Sequence, residues 1–301
     1  MKPLSLIQAD ALPDFCCVER GGTKIWVDRN FANRELLEQI ADCDRLLAWP
    51  ECQIIKDQKK IKVGRLRLAL MGKEYSFYIK RYNAFSLRYR IGSLLTLSGA
   101  VRSLRGAALL QSAGTRTARP VAAVETRFLG MLTKSFFITE EISGGKTADA
   151  YWLENLTSSP LCSDRQRRRS FLAGLASVFR SLHASAIYHN DLKDANIITV
   201  AHPDGFSHIF YLLDLEGVQR CVRLSEKRRV KNLVQINRTL GRHIRRSDKL
   251  YFIKHYLDAA ITDQNRIKRL IQVIQSESDR VDAVKGIAPV PGFAPGGARH
   301  G

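Results

Sequence analysis

The sequence predicts an α+β chain with a small β-rich first part and a larger helical second part, on three observations. Segments of period-two character crowd the stretch up to Glu141, apolar residues at helical spacing begin just after Ser163, and helical composition dominates from Ser225 onward.

In the first part, Thr23 to Val27, Ile54 to Lys56, Ile61 to Leu70 and Ser76 to Tyr82 read as strands, with Met71-Gly72-Lys73-Glu74 turning the last two into a hairpin. Side chains alternate across a strand, so Phe77 and Ile79 point one way while Tyr78, Lys80 and Tyr82 point the other. Lys80 therefore projects from a strand face. A basic segment rich in Leu, Ser and Gly, Phe85 to Gly114, precedes two more strand-like stretches, Val121 to Thr126 and Ser135 to Glu141. We divide the chain into residues 1–139, 140–284 and 285–301, the last a tail whose Pro and Gly content predicts disorder.

The second part opens with Ser163 and Gln166 spaced as a capping box, followed by Phe171, Leu175, Val178 and Leu182 on one helix face that ends near His183. Next comes Tyr188-His189-Asn190-Asp191-Leu192-Lys193-Asp194-Ala195-Asn196, then a strand at Ile197 to Val200. A turn at His202 to Gly205 leads into a second strand, Ile209 to Leu213, whose end delivers Asp214 beside the loop that starts at His189. From Ser225 to about Val284 the composition is helical, with Leu233, Ile236 and Leu240 on one stripe.

At 301 residues and 45% hydrophobic content the chain can bury a real core. Its net charge of +19 comes in bursts, among them Lys59 to Arg67, Lys80 to Arg90 and Arg165 to Arg169, so its surface seeks polyanions. The opening residues lack the apolar stretch of a secretion signal, and the longest uncharged run, Ile91 to Val101, falls short of the ~20 residues a spanning helix needs. The six cysteines form no CxxC pair and read as reduced thiols, with a vicinal redox pair at Cys16 and Cys17 as the alternative. No RNP pattern, zinc-ligand spacing or aromatic-basic stacking platform points to nucleic acid.

Phosphoryl transfer needs positioning and charge neutralisation: a lysine on the phosphates, oxygen ligands for magnesium, and a carboxylate near the accepting hydroxyl. Lys80, Asp191, Asn196 and Asp214 supply these in a workable order. The run HxDLKxxN, followed by an Asp at a strand end, resembles the catalytic loop and metal-binding Asp of kinases. More narrowly, YIKRY around Lys80, SFFITEEI at Ser135 to Ile142, YHNDLKDANI, YLLDLEGV around Asp214 and LVQINRTL resemble the bacterial lipopolysaccharide core kinases, the heptose and Kdo kinases.

That resemblance implies a two-lobed protein-kinase-like fold using ATP and Mg. Lys80 would hold the α- and β-phosphates, Asn196 and Asp214 would bind magnesium, and Lys193 would lie beside the transferred phosphoryl group. Asp191 would be the base, chiefly orienting the hydroxyl, because a free aspartate is a feeble base at neutral pH. Glu140 and Ile142 fall where a hinge would offer backbone groups to adenine. His189 reads as a structural ring bracing the loop.

Departures from the kinase pattern shape the rest. The turn Asp57-Gln58-Lys59-Lys60 has no glycine, so Lys59 and Lys60 would meet phosphates with side-chain charge rather than bare backbone. Between Ala84 and Val124 there is no Asp or Glu. The partner of Lys80 would then be Glu125 or another carboxylate from outside that segment, or else the chain binds nucleotide without turnover. Asn190 stands where regulated protein kinases carry an Arg, and little chain follows Asp214 before the next helical segment; both lean toward a non-protein acceptor.

The expected substrate is therefore a sugar of the lipopolysaccharide inner core, on a lipid A-linked glycolipid at the cytoplasmic face of the inner membrane. Arg88, Arg90, Arg102 and Arg105, set among apolar residues, would make peripheral contact with that anionic surface. The alternatives are a protein or small-molecule kinase of the same fold, and an inert kinase-like protein that binds polyanions.

Overall fold

The computed structural model describes residues 14–84, 86–157, 162–258 and 263–288. The chain forms two compact units: one of residues up to Leu109 with Ala118–Ser143 and Leu215–Val218, the other of Leu110–Thr117, Gly144–Asp214 and the chain from Gln219 onward. The tail expected to be disordered lies outside the described residues from residue 289 on.

The first unit is built on an antiparallel seven-stranded sheet. Its strands are β1 (Phe15–Arg20), β2 (Thr23–Asp28), β3 (Gln53–Asp57), β4 (Ile61–Leu70) and β5 (Lys73–Asn83), with β6 (Arg116–Thr117) belonging to the other unit and β7 (Pro120–Phe128) and β8 (Met131–Glu140) completing it in the order β1-β2-β7-β8-β5-β4-β3. The β4–β5 hairpin pairs from Ile61↔Tyr82 to Leu70↔Lys73 and closes through Met71 and Gly72 at φ +52° and +75°, the left-handed turn that matches strand twist.

One sheet face buries Leu66, Phe77, Ile79, Phe136 and Ile138 against Leu36, Ile40, Leu46 and Leu47 of two short helices, α1 (Arg34–Ile40) and α2 (Cys43–Leu47). These helices were not expected from the sequence. Asn33 starts the first by accepting the Leu36 N–H through its side chain at 2.8 Å.

The other face, which carries Lys80, receives α4 (Gly99–Ser112), preceded by the short α3 (Leu87–Gly92). Tyr82 Oη and Ser103 Oγ lie 2.7 Å apart, and the Ala100 N–H donates to Ser135 Oγ at 3.4 Å. Helix α4 carries no carboxylate, and its Arg102 guanidinium lies 3.5 Å from the Glu216 carboxylate. Gly106 abuts the Leu215 carbonyl, where an added Cβ would stand 2.3 Å from the oxygen.

In the second unit, α5 (Ala148–Asn155) and the long α6 (Cys162–Ala184) pack with a four-stranded sheet. Its order is β6-β12-β11-β9, with β9 (Lys146–Thr147), β11 (Ile197–Ala201) and β12 (His208–Leu212). The small strands β10 (Ile187–His189) and β13 (Val218–Arg220) pair with each other. Ser163 falls inside α6, where its side chain is outside the described set.

Helices α7 (Glu226–Arg238), α8 (Arg246–Leu257) and α9 (Gln264–Val284) complete the unit. Phe171, Leu175, Phe179, Leu233 and Ile274 are among its buried side chains, and buried Asp282 ties α9 to Arg238 and Arg242. Among the described residues no helix is long and apolar enough to cross a membrane.

Gly106→Ala would drive a methyl group into backbone that cannot yield, an overpacking cost of about 1–3 kcal/mol. Thermal denaturation should show a Tm several degrees below that of the wild type, whereas exposed Gly92→Ala, with open space around it, should not lower it.

Candidate active site

The loop that leaves β10 is organised by the buried ring of His189. Its Nε2 donates to the Leu213 carbonyl at 2.9 Å, which leaves Nδ1 bare to accept the Asp191 N–H at 3.3 Å. Burial holds this imidazole below its ordinary pKa, consistent with the neutral tautomer those two bonds require.

The same ring thus joins the loop to the strand end that bears Asp214. A second tie runs alongside it: the Leu213 N–H donates to the Asn196 carbonyl at 2.9 Å, next to the Ile197↔Leu212 pair of the β11–β12 ladder. Asp214 itself sits at φ +58°, a left-handed conformation costly for a residue with a Cβ and commonest at functional sites.

Asn196 Nδ2 donates to both the Asp191 carbonyl at 2.8 Å and Asp191 Oδ2 at 3.0 Å. With both amide hydrogens spent on Asp191, Asn196 Oδ1 is the atom left to meet a cation. Lys193 Nζ lies 2.8 Å from Asp191 Oδ2, so the carboxylate carries a cation and an amide on one oxygen. Asp191 and Lys193 keep substantial exposure, about 39% and 41% of their side chains. The structure therefore gathers Asp191, Lys193 and Asn196 by direct bonds and sets Asp214 next to them through the backbone.

Beneath the loop lies a polar network on α7 that sequence reasoning missed. Gln235 Oε1 accepts the Leu192 N–H at 3.1 Å while its Nε2 donates to the Asn190 carbonyl at 2.7 Å. Asn232 Nδ2 donates to the His189 carbonyl at 2.6 Å, and Thr239 Oγ1 accepts the Asp194 N–H at 3.3 Å. Asn232 Oδ1 in turn accepts from His183 Nε2 at 3.2 Å, and His183 Nδ1 accepts from Tyr256 Oη at 2.8 Å. The signal was present as polar residues at helical spacing, Asn232, Gln235 and Thr239, on the face beside the Leu233 stripe.

Lys80 occupies the centre of β5, opposite Val63 and Phe137, with Nζ 5.0 Å from the centre of the Tyr82 ring. Glu125, the carboxylate offered as its partner, binds Arg127 Nε at 3.0 Å and is nearly buried. Lys59 and Lys60 stand exposed on a two-residue turn closed by reciprocal backbone bonds between Gln58 and Ile61. Asn83 Nδ2 braces that turn through the Lys59 carbonyl at 3.1 Å. The Glu140 N–H donates to the Arg119 carbonyl at 3.0 Å, Glu141 takes Arg65 in a two-pronged pair, and half-buried Ile142 follows the end of β8.

The donors fit magnesium. Asn196 Oδ1 and the Asp214 carboxylate are hard oxygen ligands, and Mg²⁺ characteristically takes one or two protein ligands and fills its remaining positions with water and phosphate oxygens. Among the described residues no cluster of three or more His, Cys, Asp or Glu side chains forms an all-protein cage.

An antiparallel sheet unit, a helical unit and this loop define a phosphotransferase of protein-kinase-like fold. The chain belongs to the lipopolysaccharide kinase (Kdo/WaaP) family, whose model matches residues 77–256, more than half of its length. Among solved structures, it is similar to one described as WaaP in complex with acyl carrier protein. The two share 16% identity at a TM-score of 0.62, over 85% of this chain and 98% of the other, a likeness of fold. None of the curated proteins matches significantly.

The buried imidazoles make stability depend on pH. His183 and His208 are lowered to about 4, chiefly by burial, from an ordinary value of 6.5. Above pH 7 each is neutral whether folded or not. As pH falls through 6.5 the unfolded rings take up protons that the folded rings refuse until about 4, so stability declines across that window. Urea denaturation should give a lower unfolding free energy at pH 5 than at pH 7.5, and His183→Gln should flatten that slope.

Proposed function

We propose that this chain transfers the γ-phosphoryl group of ATP to a hydroxyl of heptose or Kdo in the lipopolysaccharide inner core, at the cytoplasmic face of the inner membrane. The observation that carries this reading is the clasp of Asn196 on Asp191, which holds the carboxylate and leaves the amide oxygen for a cation. The family supports the lipopolysaccharide acceptor in general; the particular sugar is our reading.

In this scheme the acceptor oxygen bonds to the γ-phosphorus while the bond to the β,γ-bridging oxygen breaks and ADP leaves. The acceptor proton goes to the carboxylate of Asp191. A magnesium ion held by Asn196 and Asp214 would supply charge neutralisation across the phosphates. Lys193, at 2.8 Å from Asp191 Oδ2, holds that carboxylate in one orientation and adds positive charge where the phosphoryl group passes.

Lys80 would neutralise the α- and β-phosphates, with Lys59 and Lys60 adding side-chain charge. The backbone at Glu140 and Ile142 would take the adenine. Neutral His189 holds the Asp191 amide and exchanges no proton with the substrate.

Purified Asp191→Ala, Asn196→Ala and Asp214→Asn should each lose at least about 100-fold in phosphate transfer to dephosphorylated core lipopolysaccharide while keeping the wild-type circular dichroism. Mass spectrometry of the core from cells carrying Asp191→Ala should show loss of one phosphate. Transfer to casein but not to the core would overturn the acceptor, and full turnover by Asp191→Ala would overturn the base.

A further inference from the structure

Two turns of the first unit expose large apolar side chains side by side. Leu129 and Gly130 form the tip between β7 and β8 at φ +49° and +79°, positions that favour Asn and Gly. Here a leucine bears the strain and remains 79% exposed, with Phe128 beside it at 67%. The second lies at the end of α3 and the turn after it, where Ile91, the last but one residue of the helix, and Leu94 and Leu95 beyond it are all exposed, Leu95 to 79%.

The structure welds these turns together. Arg127 Nη1 donates to the carbonyls of Ser93 and Gly130, both at 2.9 Å, and the Leu132 N–H donates to Ser93 Oγ at 2.8 Å. Leu94 packs so close to Gly130 that an added Cβ would stand 3.1 Å from its Cδ2. Five exposed apolar side chains thus lie on two segments that hydrogen bonds hold together. Arg88 and Arg90 stand exposed on α3 beside it, and no Asp or Glu occurs between Ala84 and Val124. The acidic group on the neighbouring hairpin, Glu19, lies 3.4 Å from Lys24.

We infer that the Ile91–Leu95 and Phe128–Leu129 turns form a docking surface that dips into the interface of an anionic lipid bilayer. Exposed turn tips suit a fluid layer that closes around them, whereas a folded protein partner would have to supply matching hollows. Exposed Arg88 and Arg90 beside the apolar tips match an anionic leaflet. This rests on the proposed glycolipid substrate for its purpose, since an enzyme so docked meets its acceptor in the membrane plane. The docking itself is tested without turnover.

The full chain should be sedimented with vesicles of phosphatidylglycerol and phosphatidylethanolamine, and with vesicles of phosphatidylcholine alone. Wild type should bind the anionic vesicles and do so less at high salt. Phe128→Ser/Leu129→Asn, which gives the left-handed position a residue that suits it, should weaken binding at least about tenfold with no loss in Tm. Arg88→Glu/Arg90→Glu should weaken binding to anionic vesicles alone.

If vesicle binding falls in these variants while no core sugar is phosphorylated, the docking surface stands and the proposed acceptor fails. Wild-type binding retained by the apolar variant, or a wild-type chain that stays off anionic vesicles and self-associates through these turns, overturns the inference.

Discussion

The candidate site depends on a neutral imidazole in a dry place. His189 can donate to the Leu213 carbonyl and accept the Asp191 amide only as one tautomer of the uncharged ring, and its burial is what keeps it uncharged. A protonated ring could not accept the Asp191 N–H, so that buried-ring contact with the loop would be lost while the bond to the Leu213 carbonyl stayed. The second histidine, His183, repeats the logic one layer down, accepting from Tyr256 and donating to Asn232, which in turn holds the His189 carbonyl. Each missing member would strand a buried polar partner at a cost of about 1–3 kcal/mol, which makes the stack hard to dismantle piecemeal.

From that scaffold the chemistry follows by elimination of donors. Asn196 spends both amide hydrogens on Asp191, so its oxygen is the atom available to a cation. Asp214 stands at the end of a strand in a left-handed backbone conformation that the neighbouring ladder holds in place. In the first unit α4 has no carboxylate, and its Arg102 pairs with Glu216, two residues past Asp214. Helix α4 is thereby attached to the segment after the metal-ligand candidate, both through this ion pair and through Gly106 against the Leu215 carbonyl.

Much of this was legible in the sequence because the relevant signals are local. The strand at Ile61 to Leu70 matches β4 end for end, since its alternation has no competing reading, and the hairpin carrying Lys80 follows from Gly72. The candidate residues Asp191, Lys193, Asn196 and Asp214 could be read together because they lie within one short stretch bounded by a helix and a hairpin. Helices α1 and α2 were not found: each is short, and their burial is decided by a sheet formed from distant strands. The α7 network was missed for a related reason, since polar residues on a helix face look solvated until the loop they hold is folded over them. The partner of Lys80 was sought in Glu125 or another carboxylate from outside the Ala84 to Val124 segment; Glu125 binds Arg127, two residues on along the same strand.

In the proposed mechanism Asn196 and Asp214 share one ion. Binding of manganese with ATP, followed by the electron paramagnetic resonance of the metal, tests it in a double-mutant cycle of Asn196→Ala and Asp214→Ala. Ligands of a single ion should be strongly coupled, so that the double variant binds manganese little worse than the weaker single variant. Losses that simply add would mean the two side chains act on separate sites and would contradict the assignment.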